Sequence, residues 1–285
     1  MAERRSNRLS IAIPASMVSE HSHLRDKTEA LGRVGRAAAI YRVEEIIVYP
    51  DEPDESTLMK YILGYMETPQ YLRKRLFDVR PELRYAGILP PLRTPHHPLE
   101  DRVENVTAGE VREGAVTDVT EGGYMVDVGL DTLMEVKGRA PSRGSRVTVQ
   151  IVEKEPTLRG RPAKKSRIGA YWGYDLRGSN YRLCELALSP EWDLTIATSR
   201  KGDEFDSAAH EIRSAWAESR RTLVAFGSHG EGVHEIIGRE RRRAEECFRF
   251  IVNTIPDQGT ETVRTEEAVH ATLALLNTFK DQTAE

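Results

Sequence analysis

Long apolar runs and cysteine are both scarce in this sequence, and each scarcity excludes a class of protein. None of the apolar runs in the 285 residues approaches the roughly 20 residues that span a bilayer, so we expect no membrane association. The first residues, MAERRSNRLSIAIPASM, lack the long apolar core of a signal peptide. Cys184 and Cys247, the two cysteines, offer neither a disulfide framework nor the spacing of a metal site. A reducing cytoplasm is therefore the expected location.

Several catalytic and binding motifs are missing as well. The GxGxxG signature is absent, which disfavours a Rossmann-type dinucleotide pocket. There is no persuasive Ser–His–Asp or paired-carboxylate constellation, so a cofactor-free hydrolase is the weakest functional class. His21 with His23, and His96 with His97, are not accompanied by the cysteines typical of structural zinc sites. We interpret these four as linker or surface histidines and expect no metal.

The chain is long enough for two domains, at 285 residues and 32.2 kDa. Residues 9–50 have the pattern of an apolar strand, a helix with apolar residues at helical spacing, and a second buried strand. Ser56 is predicted to cap a further helix, which Pro69 ends or kinks. In the last third, a strand is predicted to end at Ser199 and a helix to cover residues 210–217.

The middle of the chain, residues 91–167, differs in composition from both flanks. It opens with the proline-containing linker LRTPHHPLEDR. Runs with alternating apolar positions follow, at residues 111–119, 124–128, 133–136 and 147–151. Glycine turns at Gly122-Gly123 and Gly144-Ser145 separate them. About five short strands in this length predict a small antiparallel β-barrel of the OB type, a fold often used to bind oligonucleotides.

The net charge of −4 argues only weakly against a nucleic-acid partner, because it averages over an uneven chain. From Arg139 to Arg167, nine basic residues are opposed by Glu153 and Glu155 alone. A second basic run contains Arg73, Lys74, Arg75, Arg80, Arg84 and Arg93. Basic patches of this kind are typical of phosphate binding, so we expect RNA at the first patch; a solvated surface is the alternative.

Two glycine-bearing loops, each between an apolar strand and an apolar helix, are the most informative segments. The upstream glycine loop lies within residues 222–237, TLVAFGSHGEGVHEII, and the downstream glycine loop within residues 248–277. Thr262 or Thr265 is predicted to cap the last helix, which begins near Glu266. Ligands of open α/β sheets bind beyond the carboxyl ends of strands, so the two loops predict one pocket built largely from backbone.

These two segments resemble the second and third motifs of the SPOUT RNA methyltransferases, and residues 31–51, LGRVGRAAAIYRVEEIIVYPD, resemble the first. The archaeal and eukaryotic uridine N3-methyltransferase branch is the closest match. The resemblance implies an α/β fold with a deep carboxyl-terminal trefoil knot, bound S-adenosylmethionine and an obligate homodimer. It implies a discontinuous SPOUT domain over residues 1–90 and 168–285, with residues 91–167 as an OB-like RNA-binding insert. Neither periodicity nor composition shows the knot.

The glycine residues of the loops and the SPOUT resemblance both predict a cofactor pocket. Glycine lets the backbone approach a ligand closely, which suits Gly227, Gly230 and Gly232 in the upstream loop. The resemblance implies that Gly227, Ile255, Gln258, Gly259 and Thr262 line the pocket. The alternative is that the glycines only make tight turns before helices.

Methylation of uridine at N3 requires loss of the N3 proton, which a base or a stabilising cation would assist. Arg36 lies in the first motif, where SPOUT enzymes often place an arginine near the acceptor, and Arg264 lies just past the downstream loop. Either could hold a phosphate or a uracil carbonyl. Glu231 is the carboxylate nearest the centre of the upstream loop, and His229 is a candidate base beside it. Arg36 could instead pair at a subunit contact, and Glu231 and His229 could be plain polar loop residues.

An aromatic cluster and the final helix have surfaces that RNA or a partner chain could cover. Tyr171, Trp172 and Tyr174 could stack on RNA bases or pack in the interior. The final helix is apolar on almost every side and needs burial on several faces, which a core position explains in part and a partner subunit in the rest. The SPOUT resemblance implies pockets at a subunit contact, so we predict a homodimer. The sequence therefore predicts an S-adenosylmethionine-dependent RNA methyltransferase acting on uridine N3 in ribosomal RNA. Ribose 2′-O methylation and a non-catalytic RNA-binding or ribosome-assembly role are the alternatives.

Overall fold

The computed structural model describes residues 3–279, and its chain divides into two compact units. One unit, here called the sheet unit, contains Arg5–Gly64, Glu82–Pro90 and the chain from Gly173 onward. The other, the barrel unit, contains Tyr65–Pro81 and Pro91–Trp172 together with the first residues. The domain boundaries given above stay predictions, and their terminal residues 1, 2 and 280–285 lie outside the described residues.

Strands and helices alternate in the sheet unit, whereas the barrel unit is mostly strand. In chain order, the strands are β1 (Arg8–Pro14), β2 (Glu45–Tyr49), β3 (Val111–Thr120), β4 (Gly123–Asp127), β5 (Met134–Lys137), β6 (Arg146–Glu153), β7 (Arg159–Pro162), β8 (Asp175–Gly178), β9 (Leu194–Glu204), β10 (Arg221–Ala225) and β11 (Phe250–Asn253). The helices are α1 (Leu24–Ile40), α2 (Ser56–Glu67), α3 (Gln70–Leu76), α4 (Leu183–Ala187), α5 (Phe205–Glu218), α6 (Val233–Arg239) and α7 (Thr265–Leu276).

The sheet has six parallel strands in the order β11-β9-β10-β1-β2-β8. Its central strands are buried along almost their whole length, as near-continuous apolar runs in a parallel sheet should be. The predicted strand–helix–strand order of residues 9–50 is confirmed. The predicted end of β9 at Ser199 is wrong. The strand continues to Glu204, because its far half pairs with β11 beyond a register shift between Ile251 and Val252.

The start of α2 differs from the sequence prediction, whereas its end agrees with it. Ser56 is the first residue of α2 and not its cap; its backbone N–H donates to Asp54 Oδ1 at 2.8 Å. Pro69 separates α2 from α3, as predicted. Among residues 3–279, no helix has the length and apolar character needed to cross a membrane.

The expectation that the cysteines form no disulfide is wrong. Cys184 and Cys247 are bonded to each other, with their Cα atoms 5.2 Å apart. Both are buried in the core beneath the sheet, next to Leu183, Ile237 and Phe248. Their separation in sequence hid the pair, because sequence spacing alone does not show which strands and helices become neighbours.

The barrel unit contains a closed five-stranded barrel with the order β3-β4-β5-β7-β6. β5 and β7 run parallel, and the other neighbours run antiparallel. The barrel interior is apolar and includes Val116, Val126, Met134, Val136, Val149 and Ile151. The turn between β3 and β4 contains Gly122 with φ +89°, a left-handed conformation that favours glycine. The four predicted strand runs are confirmed as β3, β4, β5 and β6, and a fifth strand, β7, lies inside the basic segment. The expected all-antiparallel pairing is wrong at one place, because β7 closes the barrel by pairing with β5 in parallel.

A buried ionic network lies within the barrel unit. Arg146 Nε donates to Glu113 Oε2 at 2.6 Å, and its other guanidinium nitrogens donate to the Glu67 carboxylate. Trp172 Nε1 donates to Glu113 Oε1 at 2.6 Å. His96 is fully buried, with Nε2 3.0 Å from the backbone oxygen of Glu67 and 3.1 Å from its carboxylate.

This network corrects three sequence-based interpretations. Arg146 was counted in the RNA-binding patch but holds two carboxylates instead. His96 is a core histidine, not a linker or surface residue. Tyr171, Trp172 and Tyr174 are all buried, which favours packing over base stacking. The described residues contain no group of three or more His, Cys, Asp or Glu side chains arranged to hold a metal ion.

Candidate functional site

The candidate site lies where β9, β10 and β11 end, on one edge of the parallel sheet. The upstream glycine loop, residues 226–232, connects β10 to α6, and the downstream glycine loop, residues 254–264, connects β11 to α7. Since β9 is paired with both β10 and β11, the carboxyl ends of the three strands are neighbours. Both loops line one cavity of about 280 Å³, at the place where open α/β sheets bind ligands.

Most of the predicted cofactor residues lie on this cavity. It is lined by Gly227, Gly230, Gly232, Ile255, Gln258 and Thr262. Gly259 follows Gln258 directly but is not among the lining residues. The structure therefore brings the two loops together, and the role of each residue in binding stays a prediction.

Hydrogen bonds fix the downstream loop to itself and to the upstream loop. Gln258 Nε2 donates to the backbone oxygens of Thr260 at 2.8 Å and Glu261 at 3.1 Å, which folds the loop back on itself. The Thr265 hydroxyl donates to the backbone oxygen of Gly227 at 2.9 Å. The two loops therefore form one connected wall.

The predicted cap of α7 is wrong. Neither Thr262 nor Thr265 caps the helix; the N-cap position is Arg264. The backbone N–H of Arg264 donates to Glu267 Oε2 at 2.9 Å, the reverse half of a capping box. Thr265 is free for its bond to Gly227 because Glu267 satisfies this end of the helix.

The upstream glycines differ in what surrounds them. A Cβ at Gly227 would come too close to the backbone of Glu231 and Gly232, so Gly227 is required by the turn itself. A Cβ at Gly230 would meet no atom within 4 Å, and the same holds at Gly259. The tight-turn interpretation therefore accounts for Gly227, whereas it does not account for Gly230 or Gly259.

The far half of β9 also lines the cavity, and sequence reasoning missed it. Thr198, Ser199, Arg200 and Lys201 all contribute. The Ser199 hydroxyl lies 3.0 Å from His234 Nδ1, and His234 Nε2 lies 3.4 Å from Glu245 Oε1. Ser199 Oγ also accepts the backbone N–H of Lys201 at 3.1 Å, so the hydroxyl shapes the strand. Knowledge of the sheet order would have identified these residues, since β9 lies between the two loop-bearing strands.

Arg36 lies at a different cavity from the glycine loops. This second cavity, of about 600 Å³, is lined by α1, α7 and residues 88–90. Arg25, Arg33 and Arg36 contribute guanidinium groups, and Glu29, Glu266 and Glu267 contribute carboxylates. The structure thus does not bring Arg36 together with Glu231 or Arg264 within this chain.

Glu231 is paired with a cation and belongs to a chain of polar contacts beside the upstream loop. Its Oε2 lies 3.0 Å from Arg239 Nη2, and the same guanidinium contacts Asp51 at the end of β2. Asp51 in turn accepts the hydroxyl of Ser16. These contacts connect the loops after β1, β2 and β10.

Tyr49 provides a further connection at the same edge of the sheet. Its hydroxyl donates to the backbone oxygen of Phe226 at 2.7 Å. Complete burial, and then the charge of Asp51, raise the pKa of Tyr49 well above its ordinary value. The phenol therefore remains protonated and holds the start of the upstream loop at every physiological pH.

A second cluster of charges surrounds Glu20, which lies in the loop after β1. His229 Nδ1 lies 3.0 Å from Glu20 Oε2, Arg264 Nε lies 4.0 Å from Glu20 Oε1, and His21 Nε2 lies 3.7 Å from the same oxygen. Glu20 was missed in the sequence because nothing in its local pattern marks it. The cluster joins the loops after β1, β10 and β11, and places His229 and Arg264 on one carboxylate.

Comparisons with known proteins identify the family to which the chain belongs. A family described as "Putative RNA methyltransferase" matches residues 8–276. An uncharacterized protein of Halobacterium salinarum is 35% identical over 94% of this chain and 98% of its own length. The 28S rRNA (uridine-N(3))-methyltransferase of Homo sapiens is 32% identical over 94% of this chain and 77% of its own length. The mouse protein of that name is also 32% identical, over 94% and 75%. The chain belongs to this family of RNA methyltransferases.

Proposed function

We propose that this protein transfers a methyl group from S-adenosylmethionine to N3 of a uridine in ribosomal RNA. The observation that carries the proposal is the cavity at the ends of β9, β10 and β11, whose walls are two glycine loops. Relatives that share about a third of its residues are named as methyltransferases for uridine N3 of 28S rRNA.

The cavity walls suit a zwitterion that carries an adenine and a sulfonium. Backbone N–H and C=O groups of the loops can recognise the adenine edge, and Phe226, Ile255 and Val263 provide apolar surface. The open space at Gly230 leaves the main chain accessible to the ligand. When bound, S-adenosylmethionine supplies an electrophilic methyl group, and the residues of this chain align it with the acceptor.

The barrel unit supports an RNA substrate. Its closed barrel of five strands, in the order β3-β4-β5-β7-β6, supports the proposal of an OB-like module that binds RNA. Although Arg146 is engaged by carboxylates, the barrel unit has other basic side chains that are exposed. Those between residues 137 and 167 are Lys137, Arg139, Arg143, Arg161, Lys164 and Arg167. We propose that these side chains contact RNA phosphates, so that affinity falls steeply with salt.

A homodimer and a trefoil knot are part of the proposal, on the strength of the SPOUT resemblance. The cavity between α1 and α7 has both arginines and glutamates on its walls, a pattern that a second copy of the chain can complement. A dimer would also give Arg36 a route to the acceptor, from the partner's side. Sedimentation equilibrium at micromolar concentration should give the mass of two chains; a stable monomer contradicts the dimer.

Calorimetry and nucleoside analysis test the activity. Purified protein should bind S-adenosylmethionine at one site per chain; no uptake would favour the non-catalytic assembly role. Ribosomal RNA from a deletion strain should lack one 3-methyluridine, and the purified protein should restore it. The appearance of a 2′-O-methylated nucleotide, which resists alkaline cleavage on its 3′ side, would favour the ribose alternative.

A further inference from the structure

We infer that Glu20 and His229 form a catalytic dyad that removes the N3 proton of the target uridine. The inference rests on the proposed function and names the base for its reaction. It starts from a contact between two loops: Glu20 follows β1, His229 follows β10, and the Oε2–Nδ1 distance is 3.0 Å.

The position of His229, beside a carboxylate and on the cavity wall, suits a general base. Nδ1 is buried against Glu20, while 37% of the side chain is exposed and the residue lines the cofactor cavity. Nδ1 lies 3.0 Å from Glu20 Oε2 without a hydrogen bond between them, and a small rotation of the ring would form one. The carboxylate would then keep the proton on Nδ1 and leave Nε2 with its lone pair. Nε2 is then the ring nitrogen available to a substrate in the cavity.

The buried atoms of this cluster have unused hydrogen-bonding capacity. Glu20 Oε1, His21 Nε2 and His229 Nδ1 are buried and make no hydrogen bond within residues 3–279. Buried polar atoms without partners are rare in native proteins and are concentrated where a proton, water or ligand group completes the site. Arg264, 4.0 Å from Glu20, adds a cation that an RNA phosphate or uracil oxygen can also use.

Other candidate bases near the cavity are engaged elsewhere. Glu231 also has a buried oxygen without a hydrogen bond, but it is paired with Arg239 at 3.0 Å and does not line the cavity. His234 lies between Ser199 and Glu245. Among these side chains, His229 combines a place on the cavity wall with a carboxylate behind the ring.

The proton and electron balance of the step is simple. His229 Nε2 takes the N3 proton, and the ring becomes an imidazolium stabilised by Glu20. The N3 electron pair attacks the methyl carbon, the N3–CH₃ bond forms, and the S–CH₃ bond breaks. The sulfur keeps the electron pair of the broken S–CH₃ bond, and the neutral thioether S-adenosylhomocysteine leaves. The imidazolium then loses its proton to water.

The experiment compares H229N and E20Q with wild type and with H210N as a control. His210 is exposed on α5 and is not on the cavity wall. The substrate is ribosomal RNA from a deletion strain grown with or without 5-fluorouracil, because 5-fluorouridine has a more acidic N3–H. Calorimetry measures the Kd for S-adenosylmethionine, and mass analysis measures formation of the N3-methylated nucleoside.

Both variants should bind the cofactor within twofold of wild type and lose about 10²–10⁴ in kcat, H229N more than E20Q. The loss should shrink at alkaline pH and on the 5-fluorouridine RNA, where less help with the proton is needed. The charged groups around the pair, namely His21, Arg264 and the Glu231–Arg239 pair, stay unchanged in this comparison.

Four outcomes overturn the inference. A wild-type kcat in both variants excludes the dyad, and so does an equal loss on both RNAs. Loss of cofactor binding in H229N would assign His229 to cofactor binding and not to removal of the proton. If wild type forms no 3-methyluridine, the proposed function fails together with the dyad, whereas the first three outcomes leave that function standing.

Discussion

Two clusters of ionisable side chains, one in each compact unit, differ in how their hydrogen-bonding capacity is used. In the barrel unit, every buried side-chain atom of Glu67, Arg146 and Glu113 has a hydrogen-bond partner, and within their described network His96 Nδ1 alone lacks one. In the sheet unit, Glu20 and His229 approach each other while buried atoms on both stay without hydrogen bonds. Buried charge alone therefore does not mark a functional site; we propose that unmet hydrogen-bonding capacity beside a cavity is the better sign of one.

The barrel cluster should control stability and leave cofactor binding unchanged. Replacing Arg146 by methionine leaves Glu67 and Glu113 as buried carboxylates without their cation, at a cost of about 3–5 kcal/mol in the free energy of unfolding. Urea unfolding measures this loss. The matched control is Arg143→Met, an exposed residue 4.0 Å from Asp118, which should cost less than about 1 kcal/mol. Equal effects of the two substitutions would contradict the assigned difference.

Acid should weaken the same cluster. Burial alone would raise the pKa of Glu67, but Arg146 and His96 hold it at about 2, below the ordinary 4.5. The folded carboxylate stays charged where the unfolded one is protonated, so its contribution is complete above pH 4.5 and is lost as pH falls towards 2. The loss amounts to roughly 3 kcal/mol.

His97 adds an earlier acid-sensitive step in the barrel unit. Burial, and then the neighbouring His96, lower the pKa of His97 from 6.5 to about 4. The unfolded chain therefore binds the extra proton between these values, and the folded state loses stability as pH falls from 6.5 to 4. Urea midpoints measured from pH 7 to 3 test both steps. A midpoint that does not change with pH would contradict them.

The upstream loop offers a smaller and more local comparison. Gly227→Ala should cost about 1–3 kcal/mol in stability and weaken cofactor binding, because the added methyl collides with the backbone of the turn. Gly230→Ala has open space for its methyl and should leave the unfolding midpoint unchanged, while cofactor affinity falls if the ligand approaches there. Thermal unfolding and calorimetry on both variants separate the two roles. An equal loss of stability would show that Gly230 too serves the turn.

The smallest effect is expected where the two loops are joined. Thr265→Val removes the hydroxyl that donates to Gly227 O and keeps the shape of the side chain. The lost hydrogen bond costs about 0.5–1.5 kcal/mol in the free energy that holds the two loops together. Because the loops are then less firmly joined, the Kd for S-adenosylmethionine should be modestly weaker. Thr278→Val, whose hydroxyl bonds Leu275 O away from the cavity, is the control and should leave that Kd unchanged.

The elements and the location of the site could be read from the sequence, because both depend on local patterns. Buried strands such as β2 and alternating strands such as β3 have distinct periodicities, and glycine loops after strands indicate a pocket. What could not be read depends on neighbours in space. The length of β9 is set by its pairing with β11, and the burial of His96 is set by Glu67.

The same reasoning explains which site residues escaped prediction. The role proposed for Glu20 depends on its contact with His229, which forms only when the fold brings together the loops after β1 and β10. The cap of α7 escaped because Glu267 competes with the two threonines for the helix end, and only the fold decides the winner. Local sequence therefore predicts the two glycine loops better than the side-chain contacts between loops at the edge of the sheet.

The bond between Cys184 and Cys247, 63 residues apart, makes a covalent ring of the chain between them. β9, α5, β10 and α6 lie on this ring, while β11 and the downstream loop begin just outside it. A single trypsin cut at exposed Arg241 or Arg242 would open the ring without releasing a fragment. The nicked protein should migrate as one full-length band without reductant and as two bands with it. On a gel run only with reductant, a nicked protein whose fold is intact would therefore look degraded.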